Sequence, residues 1–262
     1  MLRTPVRGDT PSSPQRRQKG EVQMLQDSCV HPERLLRWLL VTVAALVVTG
    51  VATAAINTYY GYSARDLFIR FDLASDPSVP TFFSSAMLSL AALLLMAMGR
   101  SEVKASTRRA WQFLAVLFLG MAIDEIARFH EWVGDAAEIS SDGFFYYSWV
   151  YFGIAGVAVV GAVYLPFVLR LPRRLRFLII LAAALFVAGG LGMEMINASL
   201  DSSAGAESFR FTLQTAVEET GEMIGVVVLV YALLDELRRR EVSWLIDALP
   251  TQIDVRSSQD AS

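Results

Sequence analysis

The sequence is poor in the residues that carry most disulfide, zinc and haem chemistry. It has one cysteine, Cys29, and two histidines, His31 and His130. A lone cysteine excludes an intramolecular disulfide and any Cys-x-x-Cys motif. With His31 in the polar N-terminal stretch, one histidine remains for the apolar region. That excludes bis-histidine haem there, three-histidine zinc hydrolases of the membrane ceramidase type, and the histidine-rich membrane desaturases. Charge is scarce as well: 19% of residues are charged, against about 25% in a soluble domain. The formal net charge of −3 excludes a strongly basic nucleic-acid binder, so no nucleic-acid partner is expected.

What replaces charge is apolar length. The chain is 54% hydrophobic, with a mean hydropathy of +0.42. A bilayer core of roughly 30 Å needs about 20 apolar helical residues. Residues 39–56, 77–99 and 143–169 are uncharged runs of that order, and the third opens on the aromatic stretch "FFYYSWVYF", as at a membrane interface. Residues 110–123, 177–193 and 211–234 are three less clean runs. They reach crossing length only if their acids lie inside the membrane.

Loop charge supports that count. Arg100, Lys104, Arg108 and Arg109 follow the second run. Arg170, Arg173, Arg174 and Arg176 follow the fourth, and Arg238, Arg239 and Arg240 follow the sixth. The intervening loops carry few basic residues, and basic loops stay cytoplasmic. The expectation is an all-α polytopic membrane protein, a bundle of six transmembrane helices in a bacterial inner membrane, with both termini cytoplasmic. Residues 1–34 read as a disordered basic tail, 35–238 as the transmembrane domain and 239–262 as a C-terminal tail that starts with a short amphipathic piece. The N-terminal stretch lacks a secretory-signal pattern, and Met24 is a second candidate start.

Orientation converts sequence into depth. At 1.5 Å per residue, Asp124 lies roughly 10 Å below the outer boundary and Glu194 roughly 5 Å below it. Glu218 comes out near 10 Å and Glu222 near 16 Å, approaching the midplane. At about 100° per residue, Gly120, Asp124, Arg128, Glu131 and Asp135 share one helical stripe. Gly190, Glu194 and Asn197 share a second, and Gln214, Glu218, Gly221, Glu222 and Gly225 a third. Asn57, Ser84 and Ser85 add polar groups at a similar level. Seven acids (Asp124, Glu125, Glu131, Glu194, Glu218, Glu219 and Glu222) face one fixed cation, Arg128, and His130. Charge in the membrane is costly and marks function.

The sharpest reading of these residues is a divalent metal site. Asp124, His130, Glu194, Glu218 and Glu222 would be its ligands, with Glu125, Arg128, Glu131, Glu219, Asn197, Ser84 and Ser85 in support. Such a protein could be an enzyme acting on a lipid-like substrate from the outer leaflet, with Arg128 holding an anionic headgroup or bracing the acids. The Glu-x-x-His pairs of di-iron bundles are absent. A salt-bridge ladder from Asp124 through Arg128 to Glu131 would explain the third span alone. The same carboxylates suit a proton- or cation-coupled transporter or sensor. The apolar inner halves, such as "LLLMAM", argue for access from the outer side only. A serine hydrolase built from Ser84 or Ser85, His130 and Asp124 is a weaker reading. So is a structural subunit whose acids meet a membrane partner.

The motifs "VPTFFSSAMLSLAALLL", "MAIDEIARFHE" and "VEETGEMIG" together resemble a family of uncharacterised bacterial multi-pass membrane proteins. There, a Pro-Thr-aromatic-Phe-Ser-Ser helix start precedes an Asp-Glu…His-Glu helix and a Glu-Glu…Glu helix. The likeness covers about residues 35–240. It implies that the three motifs belong together and implies no activity.

Overall fold

The computed structural model describes residues 31–60, 69–73, 77–136, 146–204 and 209–248. Most of the expected N-terminal tail, the tips of the outer loops and the last fourteen residues lie outside them. Among the described residues the chain is helical and contains no strand. The helices are α1 (Pro32–Tyr60), α2 (Val79–Arg100), α3 (Ala105–Ala127), α4 (Phe129–Ala136), α5 (Trp149–Leu169), α6 (Arg173–Val187), α7 (Met193–Ala204) and α8 (Phe209–Ala248). A single π-helical turn, Ala188–Gly192, joins α6 to α7 without a break.

Five of these segments are long and apolar enough to cross a membrane: α1, α2, α3, α5 and the continuous Arg173–Ser199. Long uncharged stretches become helices because hydrocarbon supplies no hydrogen bonds to the backbone. Local chemistry sets several ends. Pro32 opens α1, where its missing N–H costs nothing. At α2 the Ser78 hydroxyl accepts the Thr81 N–H while the Thr81 hydroxyl accepts the Ser78 N–H, both at 3.3 Å. This reciprocal cap, with Pro80 in the first turn, is the structural meaning of the "SVPT" start.

α2 and α3 form a tight antiparallel hairpin. Gly99 lets the Arg108 carbonyl and Trp111 approach, and Trp111 is fully buried against Leu95 and Met98. α8 runs through the middle of the fold, packing on α1, α2, α6, the π turn and α7. Met223, Val227, Val230 and Leu233 on it are almost inaccessible. α5 is peripheral: Val150 is its one buried residue.

α8 contains the expected sixth run, 211–234, and continues to Ala248, so the short amphipathic piece is part of the same helix. The expected third span, 110–123, lies within α3, but the motif that follows it is interrupted. α3 stops at Ala127 because Arg128 adopts the left-handed conformation, with φ 55° and ψ 39°. The chain then restarts as the short α4.

The arginine-rich ends gather at one end of the bundle. Arg240 at the far end of α8 meets Glu102 at 2.8 Å and the Ser101 hydroxyl at 3.0 Å, both in the α2–α3 turn. Arg174, at the start of α6, donates to Asp235 and to the Tyr231 hydroxyl, each at 2.9 Å.

Candidate functional site

The opposite end of the bundle holds the acids. The stretch "DEIARFHE" is a corner. At Arg128 the backbone N–H closes on the Asp124 carbonyl at 2.7 Å and the left-handed residue turns the chain back. His130 therefore returns over Asp124. Its backbone N–H donates to Asp124 Oδ1 at 3.0 Å, and its ring Nδ1 lies 2.7 Å from Asp124 Oδ2. The continuous stripe expected through Asp124, Arg128, Glu131 and Asp135 ends at this corner. At the corner Asp124 pairs with His130. Arg128 is exposed at the turn, and the Glu131 side chain lies outside the described residues.

The His130 ring stands edge-on to the Trp149 indole, with centroids 5.0 Å apart. Trp149 opens α5. Gly134 of α4 lies against its backbone, where an added Cβ would come within 3.0 Å of the Trp149 nitrogen. The indole N–H then donates to Glu194 Oε1 at 3.1 Å. Thus Trp149 joins the Asp124–His130 corner to the other acids. Sequence reasoning placed it in an interfacial aromatic stretch and did not assign it a role. The available signal was chemical, since a buried indole N–H needs an acceptor.

Glu194 follows the π turn directly. Here α6–α7 and α8 make their closest approach. A Cβ on Gly189 would lie 2.7 Å from the Glu222 nitrogen, and one on Gly221 would lie 2.8 Å from the Gly189 Cα. One on Gly190 would collide with the Glu222 carboxylate. These glycines let three acids share a small volume. Glu194 accepts from Trp149, and Glu218 of α8 lies beside Glu194. Asn197, almost inaccessible to solvent, donates its Nδ2–H to Glu218 Oε2. Glu222 lies on Gly190, with its carboxylate against that glycine. Glu219 adjoins Glu218 on the same helix.

On the α2 side, the Ser85 hydroxyl donates to the Ala122 carbonyl at 2.7 Å, tying α2 to α3 just before Asp124. The Ser84 hydroxyl is buried and has no partner among the described residues. Neither serine hydrogen-bonds His130 among the described contacts, so the Ser-His-Asp arrangement has its Asp-His half only.

The five expected metal ligands thus fall into two groups, Asp124 with His130 and Glu194 with Glu218 and Glu222. Among the described residues, no three His, Cys, Asp or Glu side chains form a group that could hold a metal ion.

These features define a membrane-embedded protein, all-helical among the described residues, whose partly buried acids collect at the end of the bundle opposite Arg174 and Arg240. The chain belongs to the family described as Domain of unknown function (DUF8692), whose model matches residues 38–237. That match spans nearly all of α1 and most of α8 and includes neither terminus. No curated protein and no solved structure matches it.

Proposed function

We propose that this is a bacterial inner-membrane protein of six spans, with α8 as the sixth and both termini cytoplasmic. Its outer-half carboxyl cluster binds and releases protons, in the manner of a proton-coupled carrier or sensor. The observation that carries this reading is the gathering of Glu194, Glu218 and Glu222 at the glycine contact of α6–α7 with α8, where Trp149 donates to Glu194 and Asn197 to Glu218. Carboxylates held this close repel one another, and a proton on one of them relieves the repulsion. Asn197 adds a donor that orients the pair, as expected for a polar network maintained inside a membrane. The topology draws support from the gathering of Arg240, Arg174 and their partners at one end, which agrees with basic loops on the cytoplasmic side.

The test is infrared difference spectroscopy on the protein in lipid vesicles. A carboxylic-acid carbonyl band that shifts in deuterated buffer and disappears in Glu194→Gln and Glu218→Gln is expected. Absence of that band in the unsubstituted protein overturns the reading.

A divalent metal on the same oxygens is the competing reading, with an enzyme acting on a lipid-like substrate as its consequence. Glu194, Glu218 and Glu222 supply only hard oxygen ligands, which suit magnesium or manganese better than zinc. Metal analysis of the purified protein decides between them. Stoichiometric metal that is lost in Glu222→Gln would favour the metal. A structural subunit would instead co-purify with a membrane partner and lose stability without it.

A further inference from the structure

Four buried side-chain oxygens around the outer half of α8 have no hydrogen-bond partner among the described residues: Asn57 Oδ1, Ser84 Oγ, Asn197 Oδ1 and Thr215 Oγ1. They come from four helices, α1, α2, α7 and α8. Ser84, Asn197 and Thr215 are only 7%, 1% and 7% exposed.

Asn197 and Thr215 share a layer with the acids, and Asn57 and Ser84 lie on α1 and α2, which pack against α8. Thr215 precedes Glu218 and Glu219 by three and four residues, so it shares their face of α8. Asn197 donates to Glu218. Ser84 is next to Ser85, which is bonded to Ala122 of α3, three residues before Glu125. Asn57 is two residues before Tyr59, whose ring meets Phe209 at the start of α8 with centroids 6.0 Å apart. From Thr215 to Glu222 this layer spans about 10 Å of helix axis.

Hydroxyls on helices usually satisfy themselves by donating to the carbonyl one turn back. Thr42, Thr53, Thr58 and Thr220 do so here. Ser84 and Thr215 do not, although they are equally helical. A polar group left unpaired in hydrocarbon costs more than a hydrogen bond returns. A ligand of point-like charge would draw such atoms to one centre. Neutral oxygens spread over four helices instead match ordered water, which bonds several scattered partners.

The other half of the bundle differs. Leu95, Met98, Val227, Val230 and Leu233 are 0–1% exposed. Its one buried polar side-chain atom without a partner among the described residues is the Trp111 indole nitrogen.

We infer that Asn57, Ser84, Asn197 and Thr215 line a water-filled chamber that opens to the outer side and brings solvent to Glu218 and Glu222, while the arginine-rich half stays sealed. The inference rests on the proposed orientation and gives the proton-binding reading its route of access. Protons would then exchange with one side of the membrane, which favours a sensor over a carrier in this conformation.

Cys29 is the chain's single cysteine, so Cys29→Ser provides a clean background. Ser84→Cys and Thr215→Cys would be exposed in right-side-out vesicles to a charged, membrane-impermeant thiosulfonate, with Val227→Cys and Leu233→Cys as sealed-half controls. Loss of the free thiol at Ser84→Cys and Thr215→Cys, with the controls unreacted, is expected. Unreacted thiols at both outer positions, in variants that purify like the parent, overturn the chamber. Equal reaction at the controls overturns the seal. An intact carboxylic-acid band beside unreacted thiols sinks the chamber alone, whereas labelling without the band sinks the proton reading.

Discussion

Asp124 and His130 show how one backbone torsion reassigns a charge. Each side chain is about one-third exposed (33% and 37%), so solvent screens their attraction. A double-mutant cycle with Asp124→Asn and His130→Ala should return a coupling of about 1 kcal/mol, as for a partly exposed pair. Thermal unfolding in detergent checks it, and additive losses would mean that the pair is not coupled. The torsion itself can be tested at Arg128. Left-handed residues tolerate asparagine and resist β-branching. Arg128→Asn should be near neutral, whereas Arg128→Val should cost about 1–2 kcal/mol. Equal unfolding midpoints for the two variants would contradict the assigned corner.

At the scale of elements, the contact between α6–α7 and α8 depends on absent side chains. Gly221→Ala should destabilise by about 1–3 kcal/mol, as an overpacked contact does, because its Cβ would meet the Gly189 Cα at 2.8 Å. Gly156→Ala and Gly161→Ala on α5 make good controls, since nothing lies within 4 Å of either position. They should be neutral or slightly stabilising, alanine being the better helix former. Unfolding midpoints compare the three, and a Gly221 variant matching the α5 controls would refute the close approach. The π turn contributes register. Deleting Gly192 would return the segment to an α period and rotate Glu194 by about 100° relative to what precedes it. The shared carboxyl band should then vanish even though every acid is retained, and its survival would remove the π turn from the argument.

For the whole molecule, α8 is both the core and the carrier of three acids. It is not among the helices apolar enough to cross a membrane by composition. Only residues 223–234 form an uncharged stretch between Glu222 and Asp235. Its place inside the bundle suits the proposed sixth span, because Glu218 and Glu222 face α7 and the π turn. At the other end Arg240, bonded to Glu102 and Glu236, holds the α2–α3 turn to the end of α8. These groups are partly buried, so Arg240→Glu should cost about 2 kcal/mol through an uncompensated acidic cluster. Adding Glu102→Arg should recover part of it. Unfolding midpoints of the single and double variants check the exchange, and no recovery would argue against a direct pair.

Composition alone determined that this chain is helical and belongs in a membrane, because hydrocarbon leaves long uncharged runs only intrahelical hydrogen bonds. Residue spacing also located the uncharged run that becomes α2 and the clustering of basic ends. Partnership was decided by tertiary structure. His130 folds back on Asp124, Trp149 reaches Glu194, and Glu194 meets Glu218 across a glycine contact. Each depends on a local departure from the α period, a left-handed residue at 128 or the π turn at 188–192, or on the close packing of distant helices. Periodicity averages over a window, so a single irregular residue that turns a side chain by a quarter of the helix leaves almost no trace in it. The pairing of charges therefore became legible only once the chain had folded.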